Sequence, residues 1–246
     1  MDRLIYVAMS GAKMSSYQQE VVAHNLANSS TTGFRAEVSA FRALPTEGPG
    51  MKTRVYAVDS TVGADFTPGS MQTTGRSLDV GILSEGWIAV QGADGKEAYT
   101  RNGSLEITTN GVLQTRGGLN VLGEGGPLSI PPDTEITIAA DGTISTVPSG
   151  QVSTVSVVGQ IKLVNPPKAD LVKGEDGLFR LKNGNAATSD VNVKLASGTL
   201  ESSNVNVVEA LTSMITQSRH FDMQIKLLQN ADANARQASQ ILNMNA

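Results

Sequence analysis

Residues 207–244 read VVEALTSMITQSRHFDMQIKLLQNADANARQASQILNM. Val207, Met214, Phe221, Leu228, Ala235 and Leu242 recur in it every seven residues without a miss. That spacing returns a side chain to the same side of an α-helix every two turns. No proline or glycine interrupts the run, so it predicts one helix from Val207 to Met244, on the order of 55 Å long at 1.5 Å per residue. Leu211 and Ile225 flank the apolar line four residues on, together with Ser218, Asp232 and Ser239, so the second line is only partly apolar. An amphipathic helix has to bury its stripe. The stripe packs either on its own domain or along partner helices. The middle of the chain offers no helix of matching length, which favours partners.

The other end carries a second helical pattern, from Leu4 to Ala27. Ile5, Ala8, Ala12, Ser15, Val22 and Leu26 fall on one face, weakened by Gln19 in the same stripe. Asp2 is placed to cap its start. Asn28-Ser29-Ser30-Thr31-Thr32-Gly33 ends it, because these side chains compete for backbone hydrogen bonds and glycine tolerates positive φ. The short apolar run Leu4–Met9 lacks a positive n-region and the length of a signal peptide, and nothing in the chain reaches the roughly 20 apolar residues of a membrane span.

Between these ends turn signals are dense. Asp94-Gly95, Asn102-Gly103, Asn110-Gly111, Asp141-Gly142, Asp176-Gly177 and Asn183-Gly184 are all hairpin dipeptides. They separate β-rich runs at Trp87–Val90, Leu105–Thr109, Val112–Thr115, Ile136–Ala139, Val152–Val164 and Leu178–Leu181. The spacing describes antiparallel hairpins. The expected class is therefore α+β: long N- and C-terminal helices in a coiled-coil-like core domain, with a central antiparallel β-domain. The boundaries are 1–34 for the first helix, 35–75 for an extended connection rich in Pro and Gly, and 76–185 for the β-domain. A return connection occupies 186–206 and the last helix 207–246. The β-domain core is expected to hold Leu78, Trp87, Ile88, Val90, Tyr99, Leu105, Ile107, Val112, Leu113, Ile136, Ile138 and Ile144.

A net charge of −4 argues against nucleic acid, which needs a basic face. The absence of cysteine removes disulfides, thiol chemistry and cysteine-bound zinc. Two histidines, His24 and His220, lie in separate helices and read as polar residues on packed helices, since a metal site wants converging ligands. No Gly-x-Ser-x-Gly elbow exists. The carboxylate pairs Asp133/Glu135 and Asp94/Glu97 border turns and read as solvated. Gly123-Glu124-Gly125-Gly126-Pro127 lacks a phosphate-loop lysine and a following helix. The chain is read as a non-enzyme without cofactor or metal, its function residing in surfaces.

Three groups of residues resemble the flagellar rod and hook family. They are Asn25-Leu26-Ala27-Asn28 with Thr32-Gly33-Phe34-Arg35; Leu78-Asp79-Val80, Gly86-Trp87, Tyr99-Thr100-Arg101-Asn102-Gly103 and Gly111-Val112-Leu113; and Gly198-Thr199-Leu200-Glu201-Ser202-Ser203-Asn204-Val205 with Arg219 and Phe221. Each is moderately specific; in this order they cover nearly the whole chain. Met1-Asp2 with Ile5-Tyr6, Gly63-Ala64-Asp65 with Thr67-Pro68-Gly69, Gly123-Glu124-Gly125-Gly126-Pro127 and the run Glu135–Ser145 are similar to the proximal branch of the family, with the distal branch as the alternative.

The resemblance implies a structural subunit of the bacterial flagellar basal-body rod, its terminal helices paired in a coiled coil and its β-domain outside. It implies as partners copies of itself, other proximal and distal rod subunits and the flagellar type III export apparatus, with export lacking a cleaved signal. The assembly residues are then Ile5, Val22 and Leu26 of the first helix and Asn25, Asn28, Gly33 and Phe34 at its exit. Asn204 precedes the last helix, which contributes Val207, Leu211, Met214, Phe221, Ile225, Leu228 and Leu242. Phe221 is the expected anchor, as the largest side chain on the stripe. The rival classes are a β-rich adhesin and a hydrolase with an unfamiliar site; both leave the paired terminal segments unexplained.

Overall fold

A computed structural model of the chain describes residues 4–45, 55–132, 134–148 and 155–243. The fold is α+β and divides into two compact units: Met1–Ser29, Ala36–Asp65 and Val205–Ala246 form the first, Ser30–Arg35 and Phe66–Asn204 the second.

In the first unit, α1 spans Leu4–Ala27 and α2 spans Val207–Asn243. The helix stop after α1 is made by Asn28, whose Nδ2 donates to the His24 carbonyl at 2.9 Å. Asn206 caps α2: its Oδ1 accepts from the backbone N–H of Val208 at 3.1 Å and of Glu209 at 3.3 Å. Asp2 and Met244 lie outside the described residues, as does the Leu242 side chain.

The helices pack along each other. Gly11 of α1 lies against Gln224 of α2: a Cβ on Gly11 would come within 3.0 Å of that side chain. The chain leaving α1 meets the chain entering α2 much earlier in α2's direction, where Asn204 N–H points to the Phe34 carbonyl. The two helices are therefore antiparallel. Small residues make the approach possible: Ala8, Ala12 and Ser15 are buried on α1 and Ala231 on α2. Beyond Ala231 the described side chains of α2 are exposed, because α1, with 24 residues, is shorter than α2, with 37.

The stripe of α2 differs from expectation in one respect. The line Met214, Phe221, Leu228 is half-buried, and its companion line is Ala210, Gln217, Gln224 and Ala231, three residues on. Leu211, on the line four residues on, is exposed. Helix pairing at short range selects small and slender side chains for the companion line, where a hydropathy pattern would place apolar ones.

The segment expected as an extended connection contains an antiparallel hairpin, β1 (Glu37–Pro45) with β2 (Val55–Ala64), bulged between Ala40 and Phe41. It packs on α1, with Tyr17 and Phe41 edge to face at 6.5 Å. Asn25 fixes the start of β1 from both sides: Nδ2 donates to the Glu37 carbonyl at 2.9 Å and Oδ1 accepts the Glu37 N–H at 2.8 Å.

The second unit is all antiparallel. Its strands are β3 (Met71–Thr73), β4 (Val80–Ile82), β5 (Trp87–Gln91), β6 (Glu97–Thr100), β7 (Leu105–Ile107), β8 (Leu113–Thr115), β9 (Leu122–Gly123), β10 (Gly126–Pro127), β11 (Thr134–Ile138), β12 (Thr143–Pro148), β13 (Ser156–Gln160), β14 (Leu163–Val164), β15 (Leu171–Lys173), β16 (Phe179–Leu181), β17 (Leu195–Ser197) and β18 (Thr199–Glu201). The largest sheet has the order β14-β5-β6-β16-β15, beside a three-stranded sheet β11-β12-β13. The core gathers Val80, Ile82, Ile88, Val90, Leu105, Leu113, Ile138, Ile144, Ile161 and Leu195. Of the expected core, Leu78, Ile107 and Ile136 pack at its margin. Trp87 and Phe179 sit on the other face of the large sheet, their rings 4.5 Å apart, with Phe66 against both.

Several expectations change here. Asn102-Gly103 is not a hairpin turn; a Cβ on Gly103 would lie 1.7 Å from the Val80 carbonyl oxygen, so this glycine serves a close backbone approach. The run Val152–Val164 splits into β13 and β14, which belong to different sheets; residues 152–154 lie outside the described set. The second unit is also wider than 76–185. It takes in β3, β17 and β18, because β17 pairs with β4 and β18 with β3 across more than a hundred residues of chain.

Candidate functional site

Among the described residues no group of three or more His, Asp or Glu is placed to hold a metal ion. His24 Nδ1 lies 3.1 Å from Glu37 Oε2, and His220 is exposed on α2. A cavity of about 260 Å³ is floored by Ile161 and Leu163 and rimmed by Glu124, Asp141, Asp190 and Lys194. The Asp141 carboxyl is held below its usual range chiefly by the backbone N–H of Thr143, the ordinary chemistry of an aspartate closing a turn.

The residues singled out from the sequence fall into three places. Ile5, Val22 and Leu26 on α1, and Met214, Phe221, Ile225 and Leu228 on α2, are half-buried on the two packed helices. Val207 and Leu211 face solvent. Gly33, Phe34 and Asn204 belong to the second unit, while Asn25 and Asn28 hold the end of α1.

The helices remain apolar on the outside. On α2, Val207, Val208, Leu211 and Ile215 share one arc at spacings of one, three and four residues, and Val208, Leu211 and Ile215 are 71%, 45% and 55% exposed. Tyr6 and Met9 are exposed on α1, and Met223 and Leu227 further along α2. Apolar side chains clustered in this way on solvent-facing helices mark an interaction surface.

The segments flanking the helices are fastened by an ion triad inside the second unit. Arg35 Nη2 donates to Glu201 Oε1 and Arg101 Nε to Glu201 Oε2, each at 2.6 Å. Arg35 and Glu201 are each 1% exposed. The Gly69 N–H gives the carboxylate its third hydrogen bond, to Oε1 at 2.8 Å. Arg101 spends its remaining donors on the carbonyls of Gly86, Ile82 and Ser84, and its guanidinium lies 5.9 Å from the Trp87 ring centroid. Burial pushes the Arg101 guanidinium below its ordinary value, and the charge of Glu201 opposes that shift.

Around the triad, Gly33 donates to the Glu201 carbonyl at 2.8 Å. Thr32 Oγ1 donates to Asn102 Oδ1 at 2.9 Å. Asn204 Nδ2 reaches the Thr67 carbonyl at 3.1 Å, and Lys173 Nζ sits 4.0 Å above the Phe34 ring. Arg35, Arg101 and Glu201 were part of the sequence signatures without an assigned role. A charged residue inside a motif says nothing of its partner when that partner is a hundred or more residues away.

Three protein-family models match parts of this chain. Residues 5–35 match the family described as flagella basal body rod protein, residues 81–146 the flagellar hook protein FlgE/F/G D1 domain, and residues 196–241 the flagellar basal body rod FlgEFG protein C-terminal family. The flagellar basal-body rod protein FlgF of Escherichia coli is 47% identical over 99% of this chain and 100% of its own length. FlgF of Salmonella typhimurium is 46% identical over the same shares. FlgG of Agrobacterium fabrum is 30% identical over 95% of this chain and 97% of its own length.

Proposed function

Given that the chain belongs to the flagellar basal-body rod protein family, we propose that it builds the rod through its terminal helices. It is a structural subunit of the rod, similar along its length to FlgF, the proximal rod protein. The observation that carries the assembly reading is the exposed apolar arc of α2. Its seam with α1 is already occupied, yet Val208, Leu211 and Ile215 remain in water. Burying a Leu or Ile side chain is worth about 1.5–3 kcal/mol, a gain that another helix can supply.

In this reading the seam of α1 and α2 is coiled-coil-like, and copies of the chain and other rod subunits cover the outward arc. A heterologous contact of this kind repeats without closing and gives a filament. The assembly residues named from the sequence then act at two levels. Met214, Phe221 and Leu228 hold the helix pair; Val207 and Leu211 meet neighbours. The chain works without catalysis and travels by the flagellar type III export apparatus without a cleaved signal. No helix among the described residues is long and apolar enough to cross a membrane.

The test is a chain ending at Val207, expressed in cells lacking the native subunit. Rods that stop short, with the central unit still folded, support helix-driven assembly. Complete rods and normal swimming would move the function to the second unit.

A further inference from the structure

The Arg35–Glu201–Arg101 triad holds more positive charge than negative. Two guanidiniums share one carboxylate, and each donates a single hydrogen bond to it. The two arginines are not equally placed. Arg101 has three backbone carbonyls as further acceptors. Arg35 has Glu201 alone: its Nε and Nη1 are buried and find no acceptor among the described residues. A buried charge stripped of its counter-ion is far more costly than the pair is beneficial.

Glu201 also arrives late in the chain. It lies 166 residues after Arg35 and 100 after Arg101. Its strand, β18, pairs with β3, and Ser202 N–H donates to the Ser70 carbonyl at 2.9 Å. The segment 198–204 therefore carries to one place both the counter-charge for Arg35 and the acceptor for the Gly33 N–H.

We infer that Glu201 is a two-ended charge latch: residues 30–35, which follow α1, dock in the second unit only once residues 198–204, which precede α2, are in place. Before Glu201 arrives, docking the N-terminal segment would bury Arg35 beside Arg101 with no carboxylate between them. The large sheet and the loop 82–86 do not depend on the latch, since Arg101 holds that loop through its carbonyls. The two segments bearing the family's terminal signatures thus engage together, however early the first of them is synthesised or exported.

The test is native-state hydrogen exchange, read by mass spectrometry, on the whole chain carrying Glu201→Gln. Glu201→Gln keeps the size and shape of the side chain and removes its negative charge. The latch predicts that peptides covering 30–36, 66–70 and 198–204 lose protection together, by about a hundredfold or more. Peptides covering 82–90 and 97–100 keep theirs. The double variant Arg35→Met/Glu201→Gln removes the stranded charge, and protection of 30–36 returns to within about tenfold of the original. Should the single variant fail to fold, recovery of folding in the double variant gives the same answer. Loss of protection confined to 198–204, or a double variant as unprotected or as unfolded as the single one, overturns the latch.

Discussion

Gly33 stands at φ +68°, and a Cβ there would lie 2.3 Å from the Arg101 carbonyl carbon. Both the left-handed backbone and the contact exclude a side chain. Gly33→Ala is expected to cost about 3 kcal/mol in denaturant unfolding of the second unit, the sum of backbone strain and overlap. Tyr99 gives a second prediction at this scale. It is fully buried, donates to Glu97 Oε1 at 3.0 Å and accepts the Ala187 N–H at 2.7 Å. Burial first, and the Glu97 charge after it, push its phenol up to about 12, with the Ala187 N–H acting in the opposite direction. A raised acid pKa means that the folded chain holds the proton more tightly than the unfolded one. The stabilisation is whole below pH 10 and is lost as pH rises towards 12. Tyrosinate absorbance of the native chain minus that of Tyr99→Phe should show a single step near pH 12. A step near pH 10 would mean that the phenol is solvated.

Among the elements, the terminal helices were legible from their periodicity, unbroken in α2 and weakened only at Gln19 in α1: α1 runs Leu4–Ala27 as read, and α2 begins at Val207. The face of α2 was legible only in part. The line through Phe221 packs as read, whereas the companion line of Ala210, Gln217, Gln224 and Ala231 mixes alanine with glutamine and gives a hydropathy pattern only a weak apolar signal. Phe221→Ala should lower the stability of the helical unit by about 2 kcal/mol, less than for a fully buried ring. Thermal melting followed at 222 nm checks it. The hairpin β1–β2 was hidden because its composition, Pro and Gly near its ends, reads as a connector. The pairing is held by Asn25, a side-chain contact to a backbone twelve residues on. Asn25→Ala is expected to raise hydrogen exchange at Glu37 and along β1, as a half-buried donor and acceptor lose their partner.

At the scale of the molecule, the class α+β and the central hairpins followed from turn dipeptides and local alternation. The strands β3, β17 and β18 did not. Each is three residues long, and each pairs across most of the central unit. Local pattern carries no information at that range. The same reason hid Glu201, whose role exists only once residues 35 and 101 are beside it. The chain crosses between its two units at residues 29/30, 35/36, 65/66 and 204/205. One unit is rich in exposed apolar helix surface, while the other carries the large closed core. This partition is what a subunit needs if one unit is to be completed by neighbours and the other to fold alone.

The central claim is that the outward arc of α2 is completed by neighbouring subunits. The most direct measurement replaces two residues of that arc, Leu211→Asp with Ile215→Asp, in cells whose only copy of the subunit is this variant. Swimming and purified basal bodies are scored alongside far-UV circular dichroism of the isolated protein. The account predicts an unchanged spectrum, loss of swimming and basal bodies without complete rods. Normal swimming with complete rods, from a protein carrying both aspartates, would contradict it.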